Sequence, residues 1–281
     1  MHQKSKENNT SKNGRGSLII VGTGIQAVRH VTIDARYSIE NSDKVLYIVA
    51  DPITEIWIKK LQPDAESIAR FYQEGKDRAQ IYSEMVEYTM KHVRQGLSIC
   101  LALYGHPGVF TTGVTKPVIK IARKEGFRAQ ILPGISTEDC LYAELDVDPG
   151  ELGGQSFEAT RFLLYKLKFD TFSHLILWQV GIIGQTGYHL SKDPKPGIVV
   201  LTDYLKQYYD PTHEVLVYRT APYSICKPLI QRVPLYRLPE AYVDAISTLY
   251  VPPLPSREAT VDDNMAQRLG LAERLGISTK Q

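Results

Sequence analysis

Gly96-Leu97-Ser98-Ile99-Cys100-Leu101-Ala102-Leu103-Tyr104-Gly105-His106-Pro107-Gly108-Val109-Phe110 decides the fold class. The first eight residues are a short apolar run opened by a turn residue, the pattern of a buried strand in an α/β sheet. The run then breaks on glycine and proline, so the strand ends at an abrupt turn. Ligands of such sheets bind in the crevice beyond the carboxyl ends of the strands, where 104–110 falls. Gly105 and Gly108 let a ligand approach the backbone, and Pro107 stiffens the loop. Tyr104, His106 and Phe110 add polar tips and an aromatic wall. The same turn also occurs as plain structure, so its neighbours have to choose between the two readings.

Working outward, the chain has 281 residues, enough for two small units or one large α/β unit, and 43% hydrophobic against 23% charged residues supports a real core. A net charge of +2 with dispersed Lys and Arg calls for neither nucleic acid nor an anionic membrane. Cys100, Cys140 and Cys226 are odd in number and far apart in apolar settings. They read as reduced thiols, not as disulfides or a metal site, and place the protein in the cytoplasm. No segment has the pattern of a signal peptide or a membrane span. Tyr outnumbers Phe by 17 to 7, a surplus of phenols that serves packing or chemistry.

Residues 1–15 are Asn-, Lys- and Ser-rich and read as a disordered tail. A first strand at 17–21 enters Gly22-Thr23-Gly24-Ile25-Gln26-Ala27 and then a helix through about Ala35. This GxGxxA admits a dinucleotide reading, with Asp51 after the next strand (44–50) as the ribose acid, or a tight packed turn. Asp77 is placed to cap a helix that ends near Gln95, with Gln80 at the capping-box position and Ile81, Met85, Val86 and Met90 facing the core. Arg78 and Tyr82, four apart, share one face of that helix, and Tyr72 precedes it. A helix at 114–125 closes on Gly126, and a strand at 128–132 ends in Pro133-Gly134-Ile135-Ser136-Thr137-Glu138-Asp139-Cys140. Ser136 there caps a helix whose first turn carries Glu138 and Asp139. Two glycine turns on neighbouring strands build one crevice.

Pro149 and 150–154 (GELGG) mark the boundary between halves. Beyond them lie strands at 174–179, 213–218 and 246–251, a helix at 197–209, and a final helical segment at 262–275. Without clean βαβ spacing these strands imply a mixed sheet. The units are thus 1–15, 16–149, 150–255 and 256–281.

Over 17–253 the chain resembles the tetrapyrrole methylase superfamily, and within it the borosin peptide-backbone α-N-methyltransferases of the omphalotin type. The motifs that carry the resemblance are Tyr104-Gly105-His106-Pro107-Gly108-Val109-Phe110, Leu132-Pro133-Gly134-Ile135-Ser136, Glu138-Asp139-Cys140, Ser173-His174-Leu175-Ile176-Leu177, Gln179-Val180-Gly181, and Ser247-Thr248 with Pro252-Pro253. General tetrapyrrole methylases tend to carry an acidic residue where His106 stands, which makes the first motif the most specific. The resemblance implies an α/β fold in two parts, mainly parallel in the first half and mixed in the second, enclosing S-adenosylmethionine within a homodimer. It implies Tyr72, Arg78 and Tyr82 as the catalytic group and Tyr104 as a cofactor-side phenol. It further implies His106, Val109, Phe110, Ser136, Thr137, Gln179, Tyr218, Ser247 and Thr248 along the cofactor, with Thr137 standing where relatives often have alanine.

The implied reaction is methylation of backbone amides in a ribosomal peptide. A peptide nitrogen is a poor nucleophile because its lone pair is delocalised into the carbonyl. Arg78 is expected to stabilise either Tyr72 as a phenolate or the substrate carbonyl as an imidate, with Tyr82 holding the same oxygen. Fused members of the family carry their substrate as a C-terminal extension. Here the expectation is a split system: a separate precursor peptide docks on the homodimer, giving a heterotetramer with two precursor chains. A tetrapyrrole or other small-molecule methyltransferase of the same fold, and an inert scaffold, are the competing readings.

Overall fold

The protein is described from a computed structural model covering residues 16–109, 113–189, 192–255 and 261–277. Strand and helix alternate from the start: β1 (Ser17–Gly22), α1 (Ile33–Asn41), β2 (Lys44–Ile48), α2 (Pro52–Leu61), β3 (Glu66–Ser67), α3 (Arg78–Arg94), β4 (Ser98–Leu103), α4 (Thr115–Lys124) and β5 (Arg128–Ile131). The strands pair in the order β3-β2-β4-β1-β5, all parallel, with Ile20 beside Leu101 on one side and Ile131 on the other. Because side chains alternate across a strand, each strand feeds two cores. Leu18, Ile20, Leu101 and Leu103 pack under α3 and α4, whereas Val21, Val45, Cys100 and Ala102 pack under α1 and α2.

Local chemistry sets the helix starts. Asp51 caps α2 by accepting from the Thr54 amide at 2.8 Å, with Pro52 at the first helical position. Asp77 caps α3 by accepting from the amides of Ala79 and Gln80, and Ile81, Met85, Val86, Met90 and Val93 form the buried stripe expected of that helix. The Gln80 side chain turns to Glu84 and so leaves the capping box unreciprocated.

Beyond β5 come α5 (Thr137–Glu144) and then the second half, with α6 (Pro149–Leu152), β6 (Gly154–Glu158), α7 (Ala159–Leu164), β7 (His174–Trp178), α8 (Lys195–Leu205), β8 (Glu214–Arg219), β9 (Leu229–Pro234), β10 (Thr248–Val251) and α9 (Asp263–Arg268). Its sheet runs β6-β7-β10-β8-β9, with β6 parallel to β7 and the other pairs antiparallel. The fold is therefore the expected α/β arrangement of a parallel and a mixed sheet. α5 joins the halves, since its Leu141 packs with Ile176, Trp178, Leu216, Tyr218 and Tyr250 on the inner face of the second sheet.

Several elements differ from expectation. Residues 24–31 form a loop and not the start of a helix, because Thr32, accepting from the Ala35 amide, caps α1 only there. With Asp51 committed to capping α2 and the helix start displaced, the dinucleotide alternative loses both of its supports. The strands β6 and β9 escape notice because they lie at the sheet edges and carry polar residues (GQSFE, LIQRVP). α9 stops at Arg268, and Gly270 follows with φ +70° where a helix to 275 was expected.

Two histidines are held below their ordinary pKa by burial. Burial, helped by Arg29, lowers the pKa of His30 from its ordinary 6.5 against the opposing pull of Glu144 and Asp139. Burial likewise lowers that of His174, whose Nδ1 pairs with the Tyr250 hydroxyl at 2.6 Å, against Glu151 and Asp148. The unfolded chain takes up protons at these positions before the folded one does. Stability is therefore expected to fall as pH drops below about 6.5. Denaturant midpoints measured between about pH 8 and pH 5 check this, and His174→Gln should flatten part of the slope.

Candidate active site

The site begins with three glycines that bring strand ends into backbone contact. A Cβ on Gly22 would lie 2.2 Å from the Gly105 carbonyl oxygen and 2.9 Å from Pro107 Cδ. One on Gly134 would lie 2.9 Å from that same oxygen and 3.0 Å from Gly22 Cα. Gly105, at φ +73°, pairs with Gly24 through backbone hydrogen bonds in both directions. These approaches are closer than any side chain allows, so the turns after β1, β4 and β5 share one floor.

A cavity of about 290 Å³ opens beside that floor. Tyr72, Arg78 and Tyr82 line one part of it, Tyr104, His106 and Val109 come from the turn after β4, and Ser136 and Thr137 from the start of α5. Gln179 and Thr248 reach it from the second half. Gln179 stands in the left-handed region at φ 56°, ψ 37°, a strain of about 1–2 kcal/mol for a residue with a Cβ. Tyr218 and Ser247 do not border the cavity. The buried Tyr218 donates to Glu144 Oε2 at 2.6 Å and touches Thr220 Oγ1, and Ser247 donates to Asp244 Oδ1 at 2.8 Å. Phe110 lies outside the described residues.

The cavity wall also holds Ile25, Ile48, Leu103, Trp178 and Ile246, which the sequence reading left out. Ile48, Leu103 and Trp178 are the last residues of β2, β4 and β7, so the strand-end rule itself was a signal for them. Gly113 was missed as well. A Cβ there would sit 2.3 Å from the Tyr82 ring, so the glycine seats that ring.

The electrostatics separate the phenols. Burial pushes the Tyr72 hydroxyl well above the ordinary tyrosine range, and the neighbouring Tyr82 adds to this, while Arg78 pulls the other way without prevailing. Burial takes Tyr104 up to about 12, with Cys140 and Asp51 reinforcing the shift. Both phenols are held as neutral hydrogen-bond donors.

Ser136 is also a cap. Its hydroxyl accepts from the Asp139 amide at 3.2 Å and donates to Asp139 Oδ2 at 2.7 Å, while its own amide donates to that oxygen at 2.6 Å. Ser136→Ala is expected to cost about 1 kcal/mol in chemical denaturation, with Ser136→Thr retaining most of it.

Among the described residues no helix is long and apolar enough to cross a membrane, and no His, Cys, Asp and Glu group is suited to a metal ion.

Residues 17–223 match the family model described as Tetrapyrrole (Corrin/Porphyrin) Methylases. Among solved structures, the uroporphyrin-III-C-methyltransferase of Thermus thermophilus superposes with a TM-score of 0.59 over 88% of this chain and 100% of that one, at 15% identity. A second structure of a Thermus thermophilus uroporphyrin-III C-methyltransferase, in complex with S-adenosyl homocysteine, superposes at 0.55 over 89% and 100%, at 16% identity. The chain belongs to the tetrapyrrole methylase family, and within it to the borosin methyltransferases. It is 38% identical over 265 residues to the methyltransferase and type I borosin cyclic peptide precursor of Coprinopsis marcescibilis, covering 92% of this chain and 68% of that protein. It is 36% identical over 251 residues to the methyltransferase and omphalotin A precursor of Omphalotus olearius, covering 88% and 60%. The chain thus spans about two thirds or less of the length of these relatives.

The cofactor of the family is S-adenosylmethionine, and the cavity suits it. The glycines let the turns pack closely enough for Gly105 to border the cavity, the Ile25, Leu103 and Trp178 wall accepts an apolar ring, and the polar tips of Ser136, Thr137, Gln179 and Thr248 match hydroxyls and amines.

Proposed function

We propose that the protein methylates backbone amide nitrogens of a peptide, taken from a separate precursor chain. The observation that carries this is the convergence of Arg78, Tyr72 and Tyr82 on the cavity that the glycine turns floor. A carbon or oxygen nucleophile of a small molecule has no need of a guanidinium flanked by two phenols. An amide does, because its nitrogen becomes nucleophilic only as negative charge settles on the carbonyl oxygen. The names of the relatives, which pair a methyltransferase with a ribosomally synthesized peptide precursor, support the same substrate class.

S-adenosylmethionine, when bound, supplies an electrophilic methyl group. The chain's own residues do the rest. Arg78 and Tyr82 hold the carbonyl oxygen as it takes on imidate charge, and the half-buried cavity limits the water that would screen them. The raised pKa of Tyr72 favours the imidate branch over the phenolate one, with Tyr72 as a third donor and the amide proton leaving to water. Turnover is therefore expected to show no tyrosine limb below about pH 10, and Tyr72→Phe to lower it about 10²-fold. A pH–rate profile of the wild type and the variant reads both.

The working unit is a homodimer carrying two precursor chains. The exposed Ile33, Tyr37, Ile53 and Ile56 on α1 and α2 support association, and the buried free thiols Cys100 and Cys140 support a reducing cytoplasm.

The deciding experiment incubates the protein and S-adenosylmethionine with a synthetic peptide bearing an apolar tail, and in parallel with a uroporphyrinogen. Fragmentation that places added methyl groups on backbone nitrogens of the peptide is the expected result. Methylation of the macrocycle alone overturns it.

A further inference from the structure

Between β7 and α8 the chain sends residues 185–189 out of the second half and onto the segment that leads into α3. The join is a short antiparallel bridge, Asp77 opposite Gly187. The Gly75 amide donates to the Tyr188 carbonyl at 2.8 Å, the Tyr188 amide to the Lys76 carbonyl at 2.9 Å, and the Arg78 amide to the Thr186 carbonyl at 3.2 Å. His189 Nδ1 meets Glu74 Oε1 at 3.0 Å beyond it.

The strap holds side chains as well as backbone. Arg78 Nε donates to the Gly187 carbonyl at 3.2 Å, which leaves both Nη groups without a partner among the described residues. The Tyr188 ring lies 4.9 Å from the Tyr72 ring, and the Arg78 guanidinium stands 5.8 Å from the Tyr188 centroid. A planar fork tied at Nε and standing over a ring has few orientations left. One aromatic side chain thus fixes two members of the site at once, from the opposite half of the molecule.

We propose that Tyr188 is a positioning residue of the transferase: its ring, with the Gly187 carbonyl, sets the plane of the Arg78 fork and the tilt of Tyr72 toward the substrate carbonyl. This rests on the role given to Arg78 above. The hydroxyl of Tyr188 has no part in it, whereas the ring does. A misplacement of about 1 Å at a reacting group costs up to about 10²-fold in rate.

The test compares Tyr188→Ala, Tyr188→Phe, Arg78→Ala and the Tyr188→Ala/Arg78→Ala double variant in peptide methylation, with S-adenosylmethionine affinity by calorimetry and melting curves on each. Tyr188→Ala is expected to lower kcat about ten- to a hundredfold, with cofactor affinity within about twofold of wild type and Tyr188→Phe close to wild type. In the Arg78→Ala background the Tyr188→Ala loss should shrink to the part that acts through Tyr72, clearly below its size in the wild type, because the ring then has no fork to orient. An unchanged kcat in Tyr188→Ala beside a crippled Arg78→Ala overturns the inference, as does a full, additive loss in the double variant. A fully active Arg78→Ala overturns the reading of the site itself and takes this inference with it.

Discussion

Arg78→Ala is expected to lower methyl transfer to peptide by about 10²–10³-fold, the loss typical of removing one donor that meets charge only in the transition state. The guanidinium lines the cavity with Tyr72 and Tyr82, and a lysine in its place, a point charge on a flexible stem, would lack the fixed planar fork that is tied at Nε to the Gly187 carbonyl while both Nη groups face elsewhere. Binding of S-adenosylmethionine should change little, because the glycine turns and the polar tips from α5 and the second half are untouched. Rapid-quench kinetics and calorimetry on the same preparation separate the two effects. Equal loss of cofactor affinity and rate would move Arg78 from the reacting end of the cavity to its cofactor end.

Gly22→Ala is expected to be strongly damaging to the first half. The added carbon would fall 2.2 Å from a backbone carbonyl oxygen, and neither turn has a flexible side chain to yield. Overpacking typically costs about 1–3 kcal/mol. Here the backbone has to move, so the loss should reach the upper part of that range, and S-adenosylmethionine binding should fall with it. Gly108→Ala is the milder contrast: its Cβ would meet only the His106 ring, at 3.0 Å, a side chain that can yield where a backbone carbonyl cannot, at the cost of the Gly108 amide's bond to His106 Nδ1. Urea denaturation and calorimetry on both variants check the contrast. A Gly22→Ala protein as stable and as competent for cofactor as wild type would show that the three turns do not form one floor.

Much of the fold was legible because it rests on local rules. The apolar run into Tyr104-Gly105-His106-Pro107 is β4 and its turn, and Asp77 and Ser136 cap the helices they precede. Edge strands β6 and β9 were not legible, since a strand with one partner and one solvated edge needs no apolar run. The loop at 24–31 misled because GxGxxA has the same composition whether a helix follows at once or only after Thr32.

The sequence by itself determined the parallel half of the fold and the crevice after β4, because period, caps and turn residues act over a few positions. Only the tertiary structure decided that Gly187 and Tyr188, more than a hundred residues beyond Arg78, hold that arginine, and that Gly113 seats Tyr82. It also set Tyr218 and Ser247 back from the cavity onto Glu144 and Asp244. The reason is physical: a hydrogen bond or ring contact between distant segments depends on how two sheets are brought together. No local pattern in the chain encodes that.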